Sequence, residues 1–289
     1  MEAGKRIEQC LTAILAPASL EGTPPGLVAA VQHAVFPGGA RVRPRLCLAV
    51  AHACGADDPE ATDAAACAIE LLHCASLVHD DLPCFDDADL RRGQPSVHAR
   101  FGEQLAVLAG DALIVHAFQT LATAGARHPQ RLPALLVTVG RAVGMPCGIV
   151  AGQAWECESK VVLSDYQRAK TGALFTAAAA AGAITAGADP ARWCLLGDSL
   201  GEAYQVADDV RDVAGRSDEI GKPTGRDAAL GRPSAVRELG MSGALQRLEW
   251  LITSAIDSIP ACDGSGSLRD LIHAEARRLV PPELSRRVA

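Results

Sequence analysis

Aromatic residues are scarce in this chain: five Phe, three Trp and two Tyr among 289 residues. That scarcity disfavours a sandwich or barrel built on aromatic and β-branched pairs. The core must come from Ala, Leu and Val, which suits packed helices. Basic residues are also outnumbered, 27 Lys and Arg against 34 Asp and Glu, for a formal net charge of −7. A nucleic-acid binder needs basic stripes against phosphate, so that class is excluded. Small anionic ligands respond to local fields and are not. The ten cysteines form no CxxC pair, and no histidine cluster completes a zinc pattern. Free thiols in a reducing cytoplasm are the reading. The N-terminal MEAGKRIEQC lacks the apolar stretch of a signal peptide. The longest uncharged run, Thr171 to Ala188, is too rich in Ala, Gly and Thr to read as a membrane span. A buried helix is expected there.

What is present is helical periodicity. It runs through about residues 4–16, 25–35, 40–54, 60–81, 102–124, 131–154, 164–187, 190–212, 233–238, 241–258 and 266–280. Breakers separate these stretches, among them Pro37-Gly38-Gly39, Pro83, Gly93 to Pro95, Pro129, Pro190 and Gly215 to Pro223. No composition shift marks a linker and no repeat is evident. One all-α domain, a helical bundle spanning residues 1–289, is expected.

The segment HDDLPCFDDADLRRG places Asp80, Asp81, Asp86, Asp87 and Asp89 within ten positions, followed by Arg91 and Arg92. On the helix entering it, His73, Ser76 or Leu77, and Asp80 share a face at three- and four-residue spacing. Pro83 should end that helix. Concentrated carboxylates call for a counter-ion, and a hard cation such as magnesium takes carboxylate oxygens while keeping places for phosphate oxygens. A second cluster, GEAYQVADDVRDV, carries Asp208, Asp209 and Asp212 on another helix, with Gln205 on the face of Asp208 and Asp212. Two such clusters suggest a multi-metal clamp on a diphosphate. Cations for a second anion stand in GGARVRP, where Arg41 and Arg43 follow a glycine turn, and at Arg91, Arg92, Lys170 with Thr171, and Lys222.

Those motifs, together with ELLHCASLVHDD, PSVHARFG, LAGDAL, AGQAWE, KTGALF and GKPTGRD in the same order, resemble the trans-prenyltransferases that make isoprenyl diphosphates. The resemblance covers about residues 25 to 240 and is nearest to the bacterial geranylgeranyl type. It implies an all-α fold around a deep central cavity, as a cytoplasmic homodimer. By the same resemblance, Asp80 and Asp86, with Asp81 nearby, and Asp208 and Asp212, beside Asp209, would hold magnesium, about three ions with substrate bound. Arg91, Lys170, Thr171, Gln205 and Lys222 would hold the allylic diphosphate (dimethylallyl, geranyl or farnesyl). Arg43, His73 and Arg92, with Arg41, would hold isopentenyl diphosphate. The chain departs from the family pattern at three places. Ala40 stands where Lys is usual, Tyr204 where Phe is common, and Arg232 where a second basic residue is usually Lys.

The expected reaction is head-to-tail condensation of isopentenyl diphosphate with an allylic diphosphate, assisted by magnesium. The small Ala75 and Ser76, one turn before Asp80, would form the floor met by the growing chain. The resembling farnesyl synthases usually carry an aromatic at one of these positions, and a small Ala75 with the Cys84-Phe85 insertion resembles the bacterial geranylgeranyl type. The resemblance therefore implies geranylgeranyl diphosphate, with farnesyl diphosphate as the alternative. A terpene cyclase or head-to-head synthase would not need GGARVRP, and a silent binding subunit would be expected to lose aspartates that this chain keeps.

Overall fold

A computed structural model describes residues 3–16, 22–36, 38–55, 58–214 and 234–279. The elements run α1 (Ala3–Leu15), α2 (Pro25–Val35), α3 (Val42–Ala53), α4 (Pro59–Asp80), β1 (Leu90–Arg91), β2 (Gln94–Pro95), α5 (Val97–Phe101), α6 (Glu103–Gly125), α7 (Leu132–Val143), α8 (Ile149–Trp155) and α9 (Leu163–Gln167). A π-helical turn (Arg168–Gly172) leads into α10 (Ala173–Thr185), and a 3₁₀ turn (Pro190–Trp193) into α11 (Cys194–Ala214). Then come α12 (Ala235–Asp257) and α13 (Ser265–Leu279). The expected all-α architecture is present, with one two-residue hairpin as the sheet among the described residues.

The uncharged run anticipated as a buried helix is α10, which packs against α3, α4, α7 and α11. Its residues Ala177 through Thr185 are all buried. Small side chains let its neighbours approach closely. A Cβ on Gly182 would lie 2.4 Å from the Cys47 carbonyl of α3, and one on Gly197 of α11 would meet the Thr176 Cα at 2.4 Å. With so few aromatics, the apolar core is Leu, Ala, Val and Ile around Phe175. Each large side chain buried there contributes about 1.5–3 kcal/mol.

One expected helix is divided. The stretch 131–154 breaks between α7 and α8, where Gly144, Pro146 and Gly148 interrupt it. Pro146 has no amide to donate, and a Cβ on Gly148 would sit 2.6 Å from the Arg141 carbonyl. The stretch 164–187 runs as one continuous helical path, α9 passing through the π-helical turn into α10 with right-handed helical backbone at both joints. The expected pair 233–238 and 241–258 is also present: α12 consists of two helical segments that meet at Gly240, whose φ of 70° and ψ of 168° lie outside the helical region. Helices α4 and α6 are both long and apolar enough to cross a membrane. The apolar stretch of α4 is 78% buried in the core, that of α6 only 33%.

Candidate active site

Helix α4 begins at Pro59, with the Asp58 carboxylate accepting from the Ala61 amide at 3.2 Å, and ends at Asp80, ahead of Pro83. The following segment folds back. The Asp86 amide donates to the Asp80 carbonyl at 2.9 Å and the Ala88 amide to that of Asp81 at 3.0 Å. Asp86 is thereby returned beside Asp80. His73, Ser76, Leu77, Asp80 and Asp86 all line one cavity of about 260 Å³. The hairpin that follows pairs Leu90 with Pro95 and Arg91 with Gln94. Its turn residues, Arg92 (φ 54°) and Gly93 (φ 75°), both have positive φ, as a type I′ turn requires. Arg91 therefore faces the cavity while Arg92 stands exposed at the tip.

The opposite wall is α11, which presents Tyr204, Gln205, Asp208, Arg211 and Asp212 to the same cavity. Between the two aspartate rims lies the π-helical turn, which brings both Lys170 and Thr171 to the lining. Such turns recur at functional sites because the inserted residue re-aims its neighbours. Lys170 Nζ donates to Asp80 Oδ1 at 3.1 Å and to Glu156 Oε1. Glu156 also accepts from the Tyr166 hydroxyl at 2.6 Å and from Gln153 Nε2 at 3.3 Å. Thr171 Oγ1 donates to Gln205 Oε1 at 2.8 Å, and Gln205 Nε2 to Asp209 Oδ1 at 3.0 Å.

On the α3 side of the same cavity stand Arg43 and His73. Arg43 Cζ rests 4.4 Å over the Phe175 ring, and Nη1 is 3.4 Å from His73 Nε2. Its Nε is buried without a hydrogen-bond partner. Burial lowers the pKa of Arg43, and burial followed by the nearby Arg43 charge holds His73 well below the usual histidine range. His73 is therefore a neutral imidazole, and Arg43 is a desolvated cation suited to an anionic ligand.

The chain matches the polyprenyl synthetase family over residues 24–257. It is 51% identical to the geranylgeranyl diphosphate synthase of Cereibacter sphaeroides, covering 98% of this chain and 99% of that protein. It is 50% identical to the enzyme of the same name from Rhodobacter capsulatus, covering 97% of each. The chain belongs to the polyprenyl synthetase family. Among solved structures, a geranyltransferase from Helicobacter pylori complexed with magnesium and isoprenyl diphosphate has a TM-score of 0.83 at 28% identity, over 96% of each chain.

Within this synthetase the two aspartate rims, Arg91, Lys170, Thr171, Gln205, Arg43 and His73 line one cavity, in keeping with what the resemblance implied. Several other assignments change. The Arg41 side chain turns away to Glu70 (2.7 Å), Glu8 (2.8 Å) and the Val35 carbonyl (2.8 Å), and is buried, so it is a structural cation rather than a substrate contact. Asp81 is buried behind the rim and clamps Arg91, accepting from its Nε at 2.9 Å. Burial raises its pKa against the pull of Arg91. Asp209, also buried, accepts from the Ala235 amide at 2.7 Å and so caps α12. Neither Asp81 nor Asp209 lines the cavity. Of the two chain-length candidates, Ser76 lines the cavity but Ala75 is packed in the core. Arg92 lies off the main cavity, beside a smaller recess, with its guanidinium against Gly39, where a Cβ would be 2.9 Å from Cζ. Lys222 and Arg232 fall outside the described residues.

Glu156 is the residue that sequence reasoning missed. Its motif, AGQAWE, carried the family likeness, but no role was attached to the carboxylate. Oxygens of Asp80, Asp86 and Glu156 lie within 4.8 Å of one another. Three hard oxygen donors at that spacing fit magnesium, with room for phosphate oxygens in the remaining positions.

Proposed function

We propose that this synthetase condenses isopentenyl diphosphate with an allylic diphosphate, head to tail, to give geranylgeranyl diphosphate. The supporting observation is that two sets of cations line the one cavity. Paired aspartate rims enclose Lys170 and Arg91 on one side, and the Arg43–His73 recess lies on the other. A terpene cyclase would have no use for the second set.

Asp80, Asp86 and Glu156 on one rim, and Asp208 and Asp212 on the other, would hold about three magnesium ions with substrate bound. Magnesium, when bound, supplies neutralisation of the departing diphosphate charge. Lys170 and Arg91 grip the allylic diphosphate as fixed cations, Arg91 braced by Asp81. Thr171 and Gln205 lock each other in place beside it. Arg43 takes the isopentenyl diphosphate by charge and His73 by a neutral hydrogen bond. The allylic C–O bond ionises, the isopentenyl double bond attacks the carbocation, and the released diphosphate takes the proton lost in forming the new double bond. Leu77, Ile149 and Leu174 give the cavity apolar walls that keep water from the cation.

A homodimer in a reducing cytoplasm completes the reading. Support for the dimer is the outer face of α6, where Val107, Leu108 and Val115 are 41–55% exposed. Support for the compartment is that all ten cysteines are free thiols. The test is incubation with magnesium, isopentenyl diphosphate and each of dimethylallyl, geranyl and farnesyl diphosphate, followed by chromatography. Geranylgeranyl diphosphate is expected. Product ending at farnesyl diphosphate overturns the length, and no condensation with any starter overturns the reaction.

A further inference from the structure

Glu275 is a buried carboxylate on α13 that the reaction above does not use. Its oxygens take different partners. Oε1 accepts from Arg45 of α3 at 2.6 Å and Oε2 from the Tyr204 hydroxyl of α11 at 3.2 Å, while Arg278 stands 3.4 Å from both. Tyr204 in turn lines the catalytic cavity. Its ring centroid is 4.7 Å from that of Phe175, with the planes tilted by 32°, and Phe175 is the ring on which Arg43 rests. One continuous set of contacts therefore runs from the last described helix to the cation of the isopentenyl recess.

A partly buried tyrosine hydroxyl needs a hydrogen-bond partner. With the Glu275 carboxylate in place, that need is met from α13, by a residue that does not line the cavity. Without it, the open cavity is where the hydroxyl would find water or substrate oxygen, and the ring would leave Phe175 to reach them. Burial, reinforced by Glu275, raises the Tyr204 pKa, which keeps the hydroxyl a donor.

We propose that Glu275 is a positioning residue for isopentenyl diphosphate: it holds the Tyr204 ring against Phe175 and so fixes the support of Arg43. The proposal rests on the assignment of Arg43 and His73 to that substrate. In the full-length enzyme, Glu275→Ala should raise KM for isopentenyl diphosphate about three- to tenfold. Its kcat and allylic KM should stay within about twofold of wild type. Adding Tyr204→Phe removes the hydroxyl, so the double variant should recover most of the lost affinity. A general packing defect would shift both substrates and would not be rescued. If Glu275→Ala does not fold, Glu275→Leu fills the volume without an acceptor and replaces it in the same comparison. Arg43→Gln separates the two ideas. If it raises isopentenyl KM while the Glu275 variant does not, or while the double variant shows no rescue, the positioning role is overturned and the site assignment stands. If Arg43→Gln leaves isopentenyl KM unchanged, both fall.

Discussion

Arg41 Nη1 and Glu70 Oε1 lie 2.7 Å apart with both side chains almost fully buried, whereas Arg43, two residues along, points into the cavity. The pair divides the glycine-turn motif into a structural and a binding cation. Removing one member of a buried ion pair strands the other and costs about 3–5 kcal/mol. Arg41→Ala should therefore lower the melting temperature sharply, with little change in isopentenyl KM where the protein stays folded. Arg43→Ala should do the reverse. Thermal denaturation beside steady-state kinetics checks both, and equal KM effects would return Arg41 to the binding site.

The rim aspartates should be indispensable. Asp80→Ala, Asp86→Ala and Asp208→Ala are each expected to cut turnover by orders of magnitude with small stability changes, because the lost interactions act on transition-state charge. Chelation with EDTA should abolish activity and added magnesium restore it. Near-normal turnover in Asp208→Ala would refute the two-rim clamp.

Product length should answer to Ser76 rather than Ala75. Ser76 faces the cavity, so Ser76→Phe should block the growing chain and shift product from geranylgeranyl to farnesyl diphosphate while condensation persists. Ala75 is 2% exposed in the core, so Ala75→Tyr should overpack it, costing about 1–3 kcal/mol of stability. Chromatography of products and melting curves separate the two. A shortened product from Ala75→Tyr alone would place the floor behind α4.

Ala40 is exposed beside the recess end of α3. Ala40→Lys should add a cation near Arg43 and lower isopentenyl KM, about two- to fivefold for a partly screened charge. The allylic KM should stay put. An equal change in both, or none, would mean that Arg43 and His73 already complete the recess.

His73 should make the fold acid-sensitive. Its folded pKa is lowered well below 6.5, first by burial and then by the surrounding arginines. Below pH 6.5 the unfolded chain takes up a proton that the folded state refuses. Stability is therefore complete above that pH and falls on acidification. The loss is about 1.4 kcal/mol for each pH step of one below 6.5, until the folded imidazole also takes its proton. His73→Asn should melt with a shallower pH slope between 7 and 5. Superimposable slopes would show His73 to be protonated in the fold.

Much of this was legible before any coordinates. The face His73–Ser76–Asp80 follows from helical spacing, and Pro83 marks the end of α4. Asp208 and Asp209 both neighbour Asp212 on a helix, at i, i+4 and i, i+3, so spacing alone did not say which would reach the rim. Tertiary contacts decided it, since Asp209 turns to the Ala235 amide and Asp81 to Arg91. Which arginine entered the cavity was not legible, because Arg41 and Arg43 share one motif. The hint was Glu70, a lone acid in the apolar run AIELL, which needed a buried cation. Glu156 was hidden for another reason: its partners Tyr166 and Lys170 lie 10 and 14 residues away, across a segment of no fixed period.

The π-helical turn at Arg168–Gly172 works as a phase shifter. Upstream and downstream of it the chain obeys different demands: Lys170 and Thr171 must meet charge, while Ala177 to Ala181 must nestle against neighbouring backbones. An uninterrupted α-helix would tie those two orientations together at about 100° per residue. The extra residue in the turn decouples them, so substitutions at the mouth leave the alanine spindle in register. Deleting one residue there would instead swing either the lysine off the rim or the spindle off α3.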